Sequence, residues 1–172
     1  MDKENVLLVD KHVLFSAEEN QDIINSNEIE YLKNNFCGLV ETNIYNSEEL
    51  FMLTFSKNTQ MDFIRRIKKI DTNNCILESN IRTIDSFAKL IIDTNNNIDV
   101  NLLSYIFMKY LEESPKELLI QNKYLNKIKT LFIDEAQDLN EIQYNIIKYM
   151  ANKLDITINM IGDPNQNIYQ FQ

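Results

Sequence analysis

The stretch Thr130-Leu131-Phe132-Ile133-Asp134-Glu135-Ala136-Gln137-Asp138 decides how the rest of the chain is read. A short apolar run predicts a buried strand, and two carboxylates stand at its carboxyl end. Downstream, Asn140 to about Lys153 predicts a helix with Ile142, Ile146 and Tyr149 or Met150 facing inward. Asp155 to Ile161 predicts a second strand. Strand, helix and strand in that order make a βαβ unit, which requires parallel strands and a right-handed crossover. The fold class is therefore α/β, a mostly parallel sheet flanked by helices.

Upstream, Leu50-Phe51-Met52-Leu53-Thr54-Phe55 reads as a buried strand, and Met61 to Ile70 as a helix with Met61, Ile64 and Ile67 or Lys68 on one side. Ile81 to Thr83 is a short strand, followed by a helix from Ser86 to about Ile92. Leu103, Ile106, Phe107, Tyr110 and Leu111 fall at helical spacing and predict an amphipathic helix. Pro115 suits the first turn of a further helix reaching about Lys127. The polar cluster at Asp93 to Asn97 is the nearest thing to a linker, and no repeat is visible. The expectation is a single domain over 1–172, with 1–49 as a divergent N-terminal part and 50–172 as the core.

Composition narrows the function classes. The chain has 172 residues, 44% of them hydrophobic and 25% charged, which suits a globular fold with a sizeable core. No apolar run approaches the ~20 residues that span a bilayer, and the start, Met1-Asp2-Lys3-Glu4-Asn5, does not read as a signal peptide, so no membrane partner is expected. Cys37 and Cys75 are far apart and fit neither a disulfide framework nor a zinc site. They suggest an intracellular, reducing compartment, cytoplasm or nucleus, in the host cell if the chain is viral. Lys and Arg number 17 against 26 Asp and Glu, a net charge of −9, which argues against a protein whose main work is neutralising nucleic-acid phosphates. Only two glycines occur, Gly38 and Gly162, which leaves little material for a glycine-rich phosphate loop.

In open α/β sheets ligands bind at the carboxyl edge of the strands, which is where Asp134 and Glu135 fall. Asp134 can hold a hydrated Mg²⁺ and Glu135 can activate a water attacking a terminal phosphate. A solvated acidic turn capping the next helix explains the same residues. One crossover later, Gly162-Asp163-Pro164-Asn165-Gln166 again places polar groups where an apolar strand ends. Gln166 has the reach to touch a phosphate or a water, while an ordinary turn also favours such residues. Two such endings on one edge describe a nucleotide site together better than either does alone.

These residues carry a resemblance. Ile133-Asp134-Glu135-Ala136-Gln137-Asp138, with Ile142-Gln143, is similar to the Walker B motif of superfamily 1 DNA helicases of the UvrD/Rep type. Ile161 to Phe171 resembles the motif that follows it in that family, and its Gly-Asp-Pro wording is closest to the F-box DNA helicase branch. Leu53-Thr54-Phe55-Ser56-Lys57-Asn58 resembles the single-strand-contacting motif, and Thr83-Ile84-Asp85-Ser86-Phe87 resembles T-I-H-S-F, with Asp85 in place of His. Phe15 to Gln21 loosely resembles the adenine-reading segment. The resemblance implies a RecA-like, P-loop NTPase-type domain that uses ATP and Mg²⁺ and moves along single-stranded DNA. On it, Asp134 coordinates Mg²⁺, Glu135 activates water and Gln166 senses the γ-phosphate. Asp163 and Gln21 belong to the nucleotide site, and Thr54, Phe55, Ser56, Ser86, Phe87 and Tyr169 lie by the DNA. Core packing is an equal reading for Phe55 and Phe87.

The family's phosphate loop, G-x-x-x-x-G-K-[ST], is expected between Gln21 and Leu53, and nothing there fits it. Cys37-Gly38-Leu39-Val40-Glu41-Thr42 carries Glu where Lys is needed, and Lys129-Thr130 opens a strand without glycines. Gln172 stands in place of the arginine of the family's F-R-G ending. The expectation is an incomplete helicase ATP-binding domain, slow or inactive by itself, with another chain supplying the missing motifs. The alternative is a non-catalytic helicase-like module that binds a protein partner or single-stranded DNA.

Overall fold

Alternating side chains on the central strands send apolar groups to both faces of a sheet, so helices must cover both. The computed structural model describes residues 6–10, 45–70, 75–92 and 99–162. Within them, β1 (Val6–Asp10), β2 (Leu50–Thr54), β3 (Ile81–Thr83), β4 (Thr130–Ile133) and β5 (Thr157–Gly162) form one parallel sheet in the order β1-β5-β4-β2-β3. The helices are α1 (Lys57–Ile70), α2 (Ile84–Ile92), α3 (Val100–Glu113), α4 (Lys116–Leu119) and α5 (Glu141–Lys153). This is the expected α/β class, and β4-α5-β5 is the expected βαβ unit with its two strands adjacent.

Phe51, Leu53, Leu131, Ile133 and Ile158 face one core, shared with α2, α3 and α5. Leu50, Met52, Phe132 and Ile161 face the other, closed by Phe63 and Ile67 of α1 and by Cys75 and Ile76. Phe87 sits at the centre of the first core. Its ring meets Phe51 at 6.0 Å and Phe107 at 5.8 Å between centroids, both edge-on. On α3, Leu103, Phe107 and Leu111 are buried, with Tyr110 packed against the same core, while Ile106, expected on that face, is only half-buried.

Helix starts follow side-chain caps that the apolar pattern understates. Ser56 Oγ accepts the Thr59 N–H at 3.1 Å, so α1 begins at Lys57 and not at Met61. The buried pair is then Phe63 and Ile67, and Met61 is exposed. Thr83 Oγ1 accepts the Ser86 N–H at 3.1 Å and starts α2 at Ile84. Asn140 and Gln143 form a reciprocal capping box ahead of α5.

Two expectations need correction. The helix expected from Pro115 to about Lys127 stops at Leu119. Asn122 Oδ1 takes the Tyr124 and Leu125 N–H groups at 3.0 and 3.2 Å, and its Nδ2 donates to Ile91 O at 3.0 Å. A side chain that captures backbone amides in this way ends a helix. The second correction is β1, which no strand reading anticipated. It pairs with β5, whose residues lie about 150 positions away in sequence. The expected linker at Asp93 to Asn97 lies outside the described residues.

Helices α3 and α5 are tied at one end. Lys153 Nζ donates to the carbonyls of Leu111, Glu112 and Ser114 at 2.7, 2.6 and 3.0 Å, placing a cation on the negative end of α3. Glu112 accepts from Lys109 at 2.6 Å and from the Tyr149 hydroxyl at 2.8 Å. Those two donors, Lys109 first, hold the Glu112 carboxyl below its ordinary value.

Phe87→Ala should destabilise the chain by about 3–5 kcal/mol in urea denaturation, because it opens a cavity between two aromatic rings. Glu112→Gln should lower the melting midpoint at neutral pH. A lowered native pKa stabilises the fold above the unfolded value of 4.5 and loses that effect as pH falls through the native value. The gap between wild type and variant should therefore close on acidification.

Candidate functional site

Because all five strands run the same way, their carboxyl ends share one edge. Register places the groups along it: Asp10 opposite Gly162, Met160 opposite Ile133, Ile133 opposite Leu53, and Thr54 opposite Thr83. Gly162, the Asp134–Glu135 pair, the Thr54–Ser56 turn and the Thr83–Ser86 turn therefore follow one another. Sequence reasoning placed these groups near a common site, and the sheet order brings them to one edge.

Asp134 is buried, 7% exposed. Its N–H donates to Leu53 O at 3.0 Å, which extends the β2–β4 ladder one residue past the strand. Its Oδ1 accepts the Glu135 N–H at 2.9 Å. That bond accompanies a sharp turn in which Glu135 adopts φ 52° and ψ 46°, left-handed backbone that a side chain disfavours. Glu135 is the one non-glycine residue with positive φ among the described residues. A single 3-10 turn, Ala136–Asp138, follows and is closed by Asp138 N–H to Glu135 O at 2.9 Å. The Gln137 amide folds back, and its Nε2 donates to Glu135 Oε2 at 2.6 Å.

The end of β5 lies against this turn. A methyl group on Gly162 would stand 2.4 Å from Gln137 Oε1 and 3.2 and 3.3 Å from the Gln137 and Ala136 nitrogens. Glycine suits this close approach, since a larger residue would push the Gln137 side-chain amide aside and crowd two backbone nitrogens, and its φ is not positive. Asp163, Gln166 and Tyr169, which follow it, lie outside the described residues, as do Gln21 and the segment expected to hold a phosphate loop.

At the other end of the edge, Thr54 is fully buried and its hydroxyl lies 3.3 Å from Ser56 O and 3.4 Å from Arg82 O. Phe55 turns out to solvent, 46% exposed. Ser56 Oγ also lies 2.8 Å from Thr59 Oγ1. Ser86 accepts from Arg82 Nη1 at 3.2 Å. Phe87, read equally as a DNA contact and as core, is core, which corrects the DNA reading: it has no exposed surface, because α2 turns its apolar face inward one residue after Ser86. Asp85, in the histidine position of the resemblance, accepts from Ser104 Oγ at 2.6 Å and ties α2 to α3.

Sequence reasoning missed Gln137 and Arg82. Gln137 stood inside the quoted motif without a role, since only the fold shows its amide against Glu135 and Gly162. Arg82 lies on β3, and only the turn from that strand into α2 brings its guanidinium to Ser86.

Asp134 suits a divalent cation of the Mg²⁺ type, which takes hard oxygen ligands and is often held by one or two carboxylates. The described residues supply no glycine-rich loop for a triphosphate. No helix among them is long and apolar enough to cross a membrane.

Comparison with known proteins agrees with this geometry. Residues 90–172 match the UvrD/REP helicase N-terminal domain. The chain is 40% identical over 139 residues to the "Putative ATP-dependent DNA helicase" of Acanthamoeba polyphaga mimivirus, covering 78% of this chain and 20% of that protein. It is 28% identical to the "Probable DNA helicase II homolog" of Mycoplasma capricolum, covering 100% of this chain and 23% of that one. It is 39% identical over 54 residues to the ATP-dependent DNA helicase Rep of Buchnera aphidicola, covering 31% of this chain and 8% of that protein. The chain thus spans at most about a quarter of these relatives. Residues 90–172 thus carry the N-terminal domain pattern of the UvrD/REP helicases, and the chain is similar to proteins named as helicases of that type.

Proposed function

We propose that the chain is the ATP-binding part of a UvrD-like DNA helicase, in which nucleotide binding and hydrolysis are coupled to movement along single-stranded DNA. The observation that carries the reading is the Asp134–Glu135 pair at the carboxyl edge of β4, with Gly162 packed against its turn. Asp134 holds Mg²⁺ and Glu135 orients and deprotonates the attacking water. Bound Mg²⁺ would screen phosphate charge from the two carboxylates. Gln166, Asp163 and Gln21 complete the nucleotide contacts in this proposal.

The single strand runs past the Thr54–Ser56 and Ser86 end of the edge. There the exposed Phe55 ring offers a stacking face and Arg82 a cation near the phosphates. Tyr169 is assigned to the same strand contact on the resemblance of its motif. Left-handed backbone at Glu135 fits a working site, since strain of this kind concentrates where a side chain must be aimed.

A second reading has its own support. No phosphate loop is recognisable between Gln21 and Leu53, and the net charge is −9. Without a lysine and loop amides, triphosphate charge lacks its usual compensation. On that reading the chain is a helicase-like module that binds a protein partner, or single-stranded DNA, without turnover. A partner chain that supplies the missing motifs reconciles the two. Localisation in a reducing intracellular compartment belongs to the same proposal.

Calorimetry with Mg·ATP decides between them, with Asp134→Asn beside wild type. The asparagine keeps the acceptor for the Glu135 N–H but removes the charge. Micromolar binding that is weakened at least tenfold in the variant supports the nucleotide site. No binding at millimolar ATP removes it and leaves the non-catalytic module. Hydrolysis by the chain alone should be slow or absent, and brisk Asp134-dependent phosphate release would contradict that. For the strained turn, Glu135→Gly should be more stable than Glu135→Ala by about 1 kcal/mol in urea denaturation, because glycine removes the left-handed clash.

A further inference from the structure

Gln137 touches two things at once. Its Nε2 donates to Glu135 Oε2 at 2.6 Å, and its Oε1 occupies the space where a β-carbon of Gly162 would stand, 2.4 Å away. One amide therefore lies between the carboxylate of the β4 turn and the backbone at the end of β5. Glu135 sits in left-handed backbone, so its side chain leaves the turn in a direction that the backbone alone holds poorly. A short, charge-assisted bond from a neighbour supplies that constraint. The same neighbour cannot shift toward β5 without meeting Gly162, nor leave without releasing Glu135.

We propose that Gln137 is a positioning residue: its amide fixes the Glu135 carboxylate and ties it to the end of β5, so that the carboxylate follows the position of Gly162. The proposal rests on Glu135 being the water-activating group. It adds that the aim of Glu135 is set from a second strand, the one that leads to Asp163 and Gln166. A ligand or partner that displaces the end of β5 would then re-aim Glu135 through this one side chain. No other contact between the two motifs is required.

Two arms test it on the full chain, and neither depends on turnover. The first is a double-mutant cycle in thermal unfolding. Gly162→Ala should lower the midpoint when residue 137 is Gln, because the Gln137 amide must swing away from Glu135, and should lower it clearly less when Gln137→Ala has removed the opposing oxygen. Additive shifts would overturn the tie to β5. Should Gly162→Ala not fold, recovery of a folded chain by the added Gln137→Ala counts as the same coupling, and failure to recover counts against it.

The second arm reads the Glu135 side-chain carboxyl carbon by NMR with labelled glutamate. Gln137→Met keeps the length of the side chain but cannot donate, so it should move that resonance while leaving the other glutamates in place. A resonance unmoved in Gln137→Met would overturn the fixing of Glu135. Loss of Mg·ATP binding in the calorimetry above, with both arms positive, would instead sink the nucleotide reading and leave the tie intact as a property of the fold.

Discussion

Strand β4 is hydrogen-bonded on both sides, to β2 and to β5, and buried on both faces. Its four residues therefore have no freedom of register or tilt, and the first residue beyond it inherits that rigidity. Asp134 still donates its N–H to Leu53 O, so it departs from a fixed point. Everything at the carboxyl edge is referenced to that point. The left-handed turn at Glu135, the 3-10 turn after it and the contact with Gly162 are consequences of how the chain leaves β4.

The two cores explain why the edge holds its shape. On one face, α2, α3 and α5 pack around Phe87, with Phe51 and Phe107 edge-on to its ring. On the other face, α1 closes over Leu50, Met52 and Phe132. The turns that carry Ser56 and Ser86 are also helix caps, in which the Ser56 and Thr83 hydroxyls each accept a backbone N–H at the start of a helix. Placement of those groups is thus a by-product of helix initiation.

Much of this was legible in sequence for a simple reason. Leu131 to Ile133 is an apolar run followed by a polar turn, and β4 lies where that pattern puts it. The heptad-like spacing from Leu103 to Leu111 likewise needs no tertiary information. Errors arose where a polar side chain outcompeted the pattern. Asn122 ended a helix by capturing two amides, and Ser56 started one well before its first buried residue, Phe63. Phe87 was ambiguous because its motif and its apolar run pointed in different directions, and burial in the triple-aromatic core resolved it.

By itself, the sequence determined the α/β class, the βαβ unit, the carboxylate pair at a strand end and the kinship of the chain, because local periodicity and short motifs are written in consecutive residues. Tertiary structure alone decided the pairing of β1 with β5, the left-handed turn at Glu135 and the seat of the Gln137 amide between Glu135 and Gly162. The first and last of those depend on segments distant in sequence meeting across a sheet, and the turn on a backbone conformation that residue preference opposes. Packing is what holds such a conformation in place, and packing is a property of the folded chain.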